Sequence, residues 1–250
     1  MSFFTVLPIA VTDLSLPQLN SSDVSHVFPI SSFIEEDAYG HWLFGVGESD
    51  FTASSGAILT KQSAGTAISF NGNYLTTRTA VGNALISDRL QTLAADEFTV
   101  CMLVRVPTLG SITILAGDLG STKGLSVYLS NAPLFALNGR QAGAILTSTV
   151  TPLVDQWYFV SYKITHSATI DGEKGVSIDG ETFIINDVVA GDYNARAQGI
   201  SMANSDYDTG TDFNVDFAEY MIFNSALSDS ELSGVYERAL IRAAERGIAI

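Results

Sequence analysis

The sequence has very little cysteine and little positive charge. Its 250 residues include one cysteine, Cys101, so no intramolecular disulfide can form and no oxidised framework can stabilise the fold. There are 12 lysines and arginines against 27 acidic side chains, which gives a formal net charge of -15. A surface of that sign repels phosphate backbones and anionic membranes. We therefore expect no nucleic-acid or membrane partner, and cations, calcium above all, remain as candidate ligands.

Long hydrophobic runs are also missing. The sequence contains no stretch of about 18 consecutive apolar residues, which excludes a membrane-spanning helix. The apolar N-terminus, MSFFTVLPIAV, has no lysine or arginine before it, whereas a secretory signal begins with a positively charged segment. We therefore expect the protein to be made and assembled in a cytoplasm.

Residues 1–38 differ from the rest of the sequence. They contain Pro8, Pro17 and Pro29 and no basic residue. Proline fixes φ and removes a backbone donor, so long helices and central strands are disfavoured in this segment. We interpret 1–38 as an extended arm that packs on a neighbouring subunit or on the body formed by 39–250. A disordered leader is the alternative.

From residue 39 onward the patterns indicate β-structure. One face of the segment 98–106 collects five apolar residues, Phe98, Val100, Met102, Val104 and Val106. Alternation over this length is typical of a long strand with one face buried. The segment 156–164, QWYFVSYKI, is a second β-rich run.

Turn signals separate these runs. Asn-Gly and Asp-Gly pairs favour tight hairpin turns because both residues tolerate positive φ, and they occur at 71–72, 138–139, 171–172 and 179–180. About a dozen candidate strands with no βαβ rhythm predict an all-β fold, an antiparallel sandwich or barrel.

The end of the sequence predicts one amphipathic helix over 229–246. Ser228 and Glu231 have the spacing of a capping box, and Gly247 marks the stop. An apolar stripe follows at three- and four-residue steps, formed by Leu232, Val235, Tyr236, Ala239, Leu240 and Ala243. We place Arg238 and Arg242 on the opposite, polar side, and we expect the helix to dock on the sandwich.

Several segments together resemble a known family. They are ISFNGNYLTT (68–77), DEFTVCMLVRVP (96–107), DQWYFVSYKIT (155–165), GVSIDGE (175–181) and VDFAEYMIFNSALSDSEL (215–232). In this order they resemble the laminin-G-like, or concanavalin A-like, jelly-roll domains over roughly residues 40–245. The sequence departs from the family pattern at two positions. Leu103 or its neighbour replaces the family's usual tryptophan, and Ala218 is inserted before Glu219.

The resemblance implies a sandwich of two sheets with about 12 to 14 strands. It does not imply one function, because members of this family include carbohydrate binders, protein-interaction modules, glycosidases and virus structural proteins. The function of this chain must therefore come from a site.

Glycosidases on this fold carry carboxylates on alternate positions of one strand, where they share a face. Here Asp216 and Glu219 are three apart, which predicts opposite faces in a regular strand, and nothing between them predicts a bulge. Glu48 and Asp50 have the right spacing but lie in a glycine-rich loop, and the acidic residues 35–37 are interpreted as a solvated turn. The three histidines, His26, His41 and His166, are scattered. We therefore predict that the protein is not an enzyme.

The acidic loop 204–212, NSDYDTGTD, is the candidate metal site. Asp206, Asp208 and Asp212 offer the oxygen ligands that calcium prefers, although the spacing matches a calcium loop only in part. A solvated acidic loop is the alternative. Four tyrosines in or near turns could stack on sugar rings: Tyr74, Tyr128, Tyr193 and Tyr207. Trp42 and Trp157 lie among apolar residues and are expected in the core.

These observations lead to one prediction of function and two alternatives. We predict a structural component of a bacteriophage virion, in the tail, baseplate or host-recognition apparatus. Its partners would be other virion proteins and copies of itself, which it contacts through the arm. The first alternative is a lectin-like module that binds a cell-surface glycan, and the second is a glycosidase.

Overall fold

The structure is a computed structural model that describes residues 34–90, 97–119, 124–132, 134–139, 146–167, 170–188 and 198–250. These residues belong to one unit, Ile34–Ile250. The predicted arm lies outside the described residues except for 34–38, and Ile34–Asp37 forms a short 3₁₀ helix.

Fifteen antiparallel strands occur in this described part of the chain. They are β1 (Gly40–Leu43), β2 (Leu59–Lys61), β3 (Ser69–Phe70), β4 (Leu75–Arg78), β5 (Leu85–Leu90), β6 (Phe98–Arg105), β7 (Thr113–Gly117), β8 (Leu125–Leu129), β9 (Phe135–Gly139), β10 (Leu146–Thr147), β11 (Trp157–Ser167), β12 (Ile170–Ile178), β13 (Glu181–Val188), β14 (Gly199–Met202) and β15 (Asn214–Phe223).

The strands form two sheets. The first sheet has the order β13-β12-β11-β6-β15-β4-β3, and β1 pairs with the second half of β15. The second sheet has the order β10-β9-β8-β7-β14-β5-β2. The predicted antiparallel sandwich is confirmed.

The main core lies between the two sheets. The five alternating residues of the segment 98–106 all belong to it, as predicted from their period. Trp42 is 1% exposed in the same cluster, where its indole Nε1 donates to the carbonyl of Phe51 at 2.9 Å. A buried tryptophan with a satisfied N–H contributes its large apolar area without an unpaired donor.

The other face of β6 is buried as well, so the prediction of a half-buried strand was wrong. Thr99, Cys101 and Leu103 are at most 1% exposed. A helix covers this outer face, and alternation alone could not reveal that cover. Burial raises the pKa of the Cys101 thiol well above its usual value, which leaves it without the thiolate that reactive cysteines need.

The covering helix is α1 (Asp229–Glu245), within one residue of the predicted end. The N–H of Ser228 donates to Glu231 Oε2 at 2.7 Å, and the N–H of Glu231 donates to Ser228 Oγ at 3.3 Å, which confirms the capping box. At the other end Gly247 has φ +73°, and the N–H of Ile248 donates to the carbonyl of Ala243 at 2.9 Å. This is a Schellman cap, where glycine avoids the penalty of positive φ.

The apolar stripe of α1 packs on the outer face of the first sheet. Leu232, Val235 and Ala239 form a cluster with Phe159 and Met221, among other residues. Ala243 packs with Leu103, Ala218 and Trp157, which is 6% exposed. Trp157 is therefore buried, as expected, but beneath the helix rather than between the sheets.

Two of the four predicted Asn-Gly and Asp-Gly turns are confirmed. Asp179 and Gly180 join β12 to β13 with both φ angles positive, and the pair at 71–72 lies in the turn between β3 and β4. The pairs at 138–139 and 171–172 lie inside β9 and β12 instead. The β12–β13 register shifts just after Gly172, as is usual where glycine marks a bulge in a strand.

Among the residues that the structure describes, no helix has the length and apolar character needed to cross a membrane.

Candidate functional site

The acidic strand β15 contains a β-bulge that the sequence did not reveal. Phe217 lies opposite Val104 and Glu219 lies opposite Leu103, so Ala218 is an extra residue in β15. A bulge of one residue turns three-residue spacing into one shared face. The prediction that Asp216 and Glu219 point to opposite faces was therefore wrong, and both lie on the outer face of the first sheet.

Asp216 is bound in a closed cluster. It is 4% exposed, and Arg105 donates to its Oδ2 from Nε at 3.0 Å and from Nη2 at 2.8 Å. Thr76 Oγ1 donates to its Oδ1 at 2.6 Å. The guanidinium of Arg105 also lies over the rings of Tyr74 and Trp157, 4.9 and 5.0 Å from their centroids. This carboxylate accepts three hydrogen bonds, and the guanidinium that supplies two of them, both to Oδ2, packs against the aromatic rings.

Glu219 is more deeply buried, at 1% exposure. Its Oε1 accepts from Arg242 Nε at 2.8 Å and contacts His41 Nε2 at 2.5 Å. Arg242 also donates to Glu35 Oε1 at 3.1 Å, and Arg238 Nε donates to the same atom at 2.8 Å. The prediction of a solvated turn was therefore wrong for Glu35, which is 9% exposed.

Two arginines of α1 and the arginine that follows its last residue face the first sheet rather than solvent, which corrects the predicted polar side. Arg238, Arg242 and Arg246 are spaced four apart, so they share one face of the helix. Arg246 donates to the carbonyl of Ala218 at 3.0 Å and also to the carbonyl of Phe44. The four-residue spacing of the arginines was visible in the sequence and indicates a shared face. The apolar stripe led us to place that face toward solvent.

The network of Glu35, Glu219, His41 and the three arginines joins the 3₁₀ helix, β1 and β15 to α1. Burial raises the pKa of Glu35, but its hydrogen bond with Arg238 and the charges of Arg242 and Arg238 outweigh that effect and leave the pKa below its usual value. Buried charges of this kind persist only when they are paired. We conclude that these residues hold the helix in place.

The remaining acidic pair, Glu48 and Asp50, lies in a 3₁₀ turn, Glu48–Phe51. Asp50 Oδ2 accepts from the N–H groups of Gly45 and Val46, both at 2.9 Å, and Glu48 pairs with Lys61. Asp50 therefore caps its own loop, and its carboxylate does not face that of Glu48 across a site.

A small apolar cleft lies on the outer face of the second sheet. It has a volume of about 40 Å³ and is lined by Ile112, Ile114, Leu119, Tyr128 and Tyr207. Tyr128 belongs to β8, whose neighbouring residues Val127 and Leu129 point into the main core. The lining side chains form a satellite cluster of their own.

The acidic loop 204–212 folds over this cleft. Asn204 is fully buried, and its Nδ2 donates to the carbonyls of Thr79 and Tyr207, both at 2.8 Å. Its Oδ1 accepts from the N–H of Tyr207 at 3.1 Å. Thr211 Oγ1 donates to the carbonyl of Ile112 at 3.3 Å. These bonds fix the backbone that carries the Tyr207 ring.

The three predicted calcium ligands have separate surroundings. Asp212 Oδ1 accepts from Arg78 Nε at 2.7 Å, a hydrogen bond that lowers the pKa of this aspartate. Asp208 Oδ1 accepts from the N–H of Gly210 at 2.9 Å, and Asp206 is half-buried beside Tyr207. Within the described ranges, no three histidine, cysteine, aspartate or glutamate side chains are grouped so that they could hold a metal ion. Calcium binding stays a prediction.

The predicted stacking tyrosines fall in different places. Tyr128 and Tyr207 meet in the cleft, Tyr74 packs edge-on against Trp157 at 5.6 Å, and Tyr193 lies outside the described residues. Sequence reasoning missed Ile112, Ile114 and Leu119. The available signal was Ile114 in β7, with the apolar residues Ile112 and Leu119 just before and after that strand.

Two antiparallel sheets that enclose one core, with a closing strand and a covering helix, define a jelly-roll sandwich of the concanavalin A type. A family model described as the concanavalin A-like lectin/glucanases superfamily matches residues 71–233, and the chain belongs to this superfamily.

Solved structures share the fold at low identity. The binding domain of Paraclostridial Mosquitocidal Protein 1 matches with a TM-score of 0.56 and 13% identity, over 83% of this chain and 53% of that one. Botulinum neurotoxin type C, whose cell entry depends on interaction with two ganglioside molecules, matches with a TM-score of 0.58 and 14% identity, over 83% and 52%.

The botulinum neurotoxin serotype D ligand-binding domain, in complex with N-acetylneuraminic acid, matches with a TM-score of 0.57 and 14% identity, over 83% of this chain and 52% of that one. This chain therefore spans about half the length of these three structures. No curated protein matches it.

Proposed function

We propose that this chain is a non-catalytic, lectin-like module and that the cleft lined by Tyr128 and Tyr207 contacts its glycan. The observation that carries this proposal is an aromatic ring held over an apolar cleft by a buried asparagine, Asn204. Sugar rings present apolar C–H faces between polar hydroxyls. A fixed tyrosine suits them, because it offers a rigid apolar face with a polar edge.

The similar toxin structures support a binding role without locating it. One is described as interacting with gangliosides and another as holding N-acetylneuraminic acid. At 14% identity the position of a ligand does not transfer, so the cleft is proposed on its own chemistry.

The placement of the carboxylates supports a non-catalytic role. Retaining glycosidases need two carboxyl groups about 5 Å apart beside the sugar. Asp216 and Glu219 share a face, but each is buried in contact with an arginine. The cleft lies on the other sheet, away from both.

The proposed test is a glycan array followed by titration of the bound glycan. Tyr207→Ala removes the ring over the cleft and should weaken binding by about tenfold or more, the size of one good aromatic contact. Tyr207→Phe should keep most of the affinity. Tyr236→Ala, on the helix that covers the other sheet, is the matched control and should leave binding unchanged.

Two outcomes would contradict the proposal. One is an array without any bound glycan, in the presence and absence of calcium. The other is equal binding by the wild type and Tyr207→Ala, with circular dichroism showing both folded.

The predicted place in a bacteriophage virion, with assembly through the arm, stays a prediction. It would make the glycan-binding module part of a host-recognition apparatus. Comparing the oligomeric state of the full chain with a variant lacking residues 1–33 tests the arm. The deletion must stop before Glu35, because that residue pairs with Arg238 and Arg242.

A further inference from the structure

The geometry of the cleft points to one class of glycan, an uncharged sugar that carries an acetamido group, with the acetamido methyl seated in the cleft. This inference rests on the proposed glycan-binding function and narrows it. It depends on the size of the cleft, the chemistry of its lining and the sign of the charge around it.

The cleft is too small for a sugar ring and large enough for a methyl group. Its volume is about 40 Å³. An apolar cavity that holds benzene has about 150 Å³, and a single water molecule needs about 10–15 Å³. A pyranose ring must therefore stay outside, against Tyr207, while a small substituent enters.

The lining favours an apolar substituent over a hydroxyl group. The side chains of Ile112, Ile114 and Leu119 are hydrocarbon, so the polar atoms of the lining can only be backbone groups and the hydroxyls of the two tyrosines. A hydroxyl group placed there would lose its hydrogen bonds to water, whereas a methyl group gains by leaving water. An acetamido group carries such a methyl at the end of a short planar arm, beside an N–H and a carbonyl that remain at the polar rim.

The charge around the cleft is negative. Tyr207 lies between Asp206 and Asp208 in the acidic loop, and the side chain of Asp208 is exposed. Arg78, a cation that contacts the same loop, is paired with Asp212 at 2.7 Å. Carboxylates accept hydrogen bonds from sugar hydroxyls and from an amide N–H, but they repel another carboxylate. The cleft should therefore reject N-acetylneuraminic acid, although that sugar has an acetamido group.

Three sugars separate the effect of the acetamido group from the effect of a negative charge. The full chain is titrated with each sugar by calorimetry. N,N′,N″-triacetylchitotriose, called chitotriose below, has the same linkage as cellotriose and differs from it in the acetamido group. The methyl glycoside of N-acetylneuraminic acid has the acetamido group with a carboxylate. We expect chitotriose to bind about tenfold more tightly than cellotriose, from one buried methyl and one amide contact. The acidic sugar should bind more weakly than chitotriose.

Two variants test whether these differences in affinity arise at the cleft. Ile112→Phe fills the cleft and should remove the preference for chitotriose over cellotriose. Asp208→Asn should raise the affinity for the acidic sugar relative to chitotriose.

Equal affinity for chitotriose and cellotriose, or tighter binding of the acidic sugar, would overturn the inference while leaving a lectin intact, provided that Tyr207→Ala weakens that binding. If neither these probes nor any glycan on the array binds, the proposed function itself fails.

Discussion

The two outer faces of the sandwich differ in whether their carboxylates are buried or exposed. On the first sheet, Glu219 and Asp216 are buried and each contacts an arginine. On the second sheet, Asp208 is exposed on a loop that folds over an apolar cleft. Carboxylates on the closed face stabilise the fold, whereas we propose that those on the open face select which ligand binds in the cleft. A change on one face should therefore alter stability and a change on the other should alter binding.

The largest expected effect is on the closed face. Glu219→Ala leaves the partly buried guanidinium of Arg242 and the ring of His41 without this acceptor, while Arg242 keeps Glu35, and we expect the free energy of unfolding to fall by about 3 kcal/mol. Urea unfolding measures it. Glu237→Ala, an exposed residue of the same helix, is the control and should change stability by at most about 0.5 kcal/mol.

Glycan binding by the same variant, Glu219→Ala, is the contrasting measurement. If Glu219→Ala, under conditions where it remains folded, lost glycan binding as strongly as Tyr207→Ala, the separation of the two faces would be wrong. A loss of stability below about 1 kcal/mol would show instead that the buried pair adds little beyond its own desolvation.

Local signals in the sequence predicted much of the closed face. The alternation in 98–106 identified the core side of β6, and Ser228 with Glu231 identified the start of α1. Both depend on residues that are close in sequence, where period and capping chemistry are decisive. The family resemblance supplied the two-sheet architecture that periodicity alone left open between sandwich and barrel.

The pairing of charges could not be predicted in this way. Glu35 and Arg238 are 203 positions apart, and no local pattern joins them. The bulge at Ala218 depends on the register between β15 and β6, which is set by packing on both faces. The inserted Ala218 was visible in the sequence, but its effect on the direction of the Glu219 side chain could be predicted only with the register of the partner strand.

Only two of the residues that line the cleft were predicted from the sequence. Tyr128 and Tyr207 were noted as possible sugar-stacking residues, but they lie on separate strands and loops, and Asn204 closes the loop by bonds to Thr79 and Tyr207. Sites built from distant segments of a β-sandwich leave little trace in any one segment, because each contributes a single outward-facing residue.

A smaller effect is expected at the start of the covering helix. Ser228→Ala removes the acceptor for the N–H of Glu231 and should lower the free energy of unfolding by about 1 kcal/mol. Thermal or urea unfolding measures it. Ser233→Ala is the matched control, since Ser233 is exposed within the same helix and should tolerate alanine. Equal effects from the two substitutions would mean that the cap contributes nothing specific to holding the closed face.

The smallest expected effect concerns acid, because two opposing contributions at Glu35 partly cancel. Burial raises its pKa, while the hydrogen bond with Arg238 and the charges of Arg242 and Arg238 lower it more. The folded-state pKa therefore lies below the unfolded-state value of about 4.5. The resulting stability is present above that value and is lost as pH falls through the folded-state pKa.

Glu35→Gln should remove this part of the pH dependence. The variant is expected to be less stable than the wild type at pH 7, because Arg238 and Arg242 lose a charged partner, and to lose less further stability between about pH 5 and pH 3. Urea midpoints across that range measure the two slopes, with Glu36→Gln, the exposed neighbour, as the control. Parallel slopes for Glu35→Gln and the wild type would show that the ionisation of Glu35 adds nothing to the acid sensitivity of the closed face. A shallower slope for Glu35→Gln than for Glu36→Gln would place the acid sensitivity of that face in the network beneath α1.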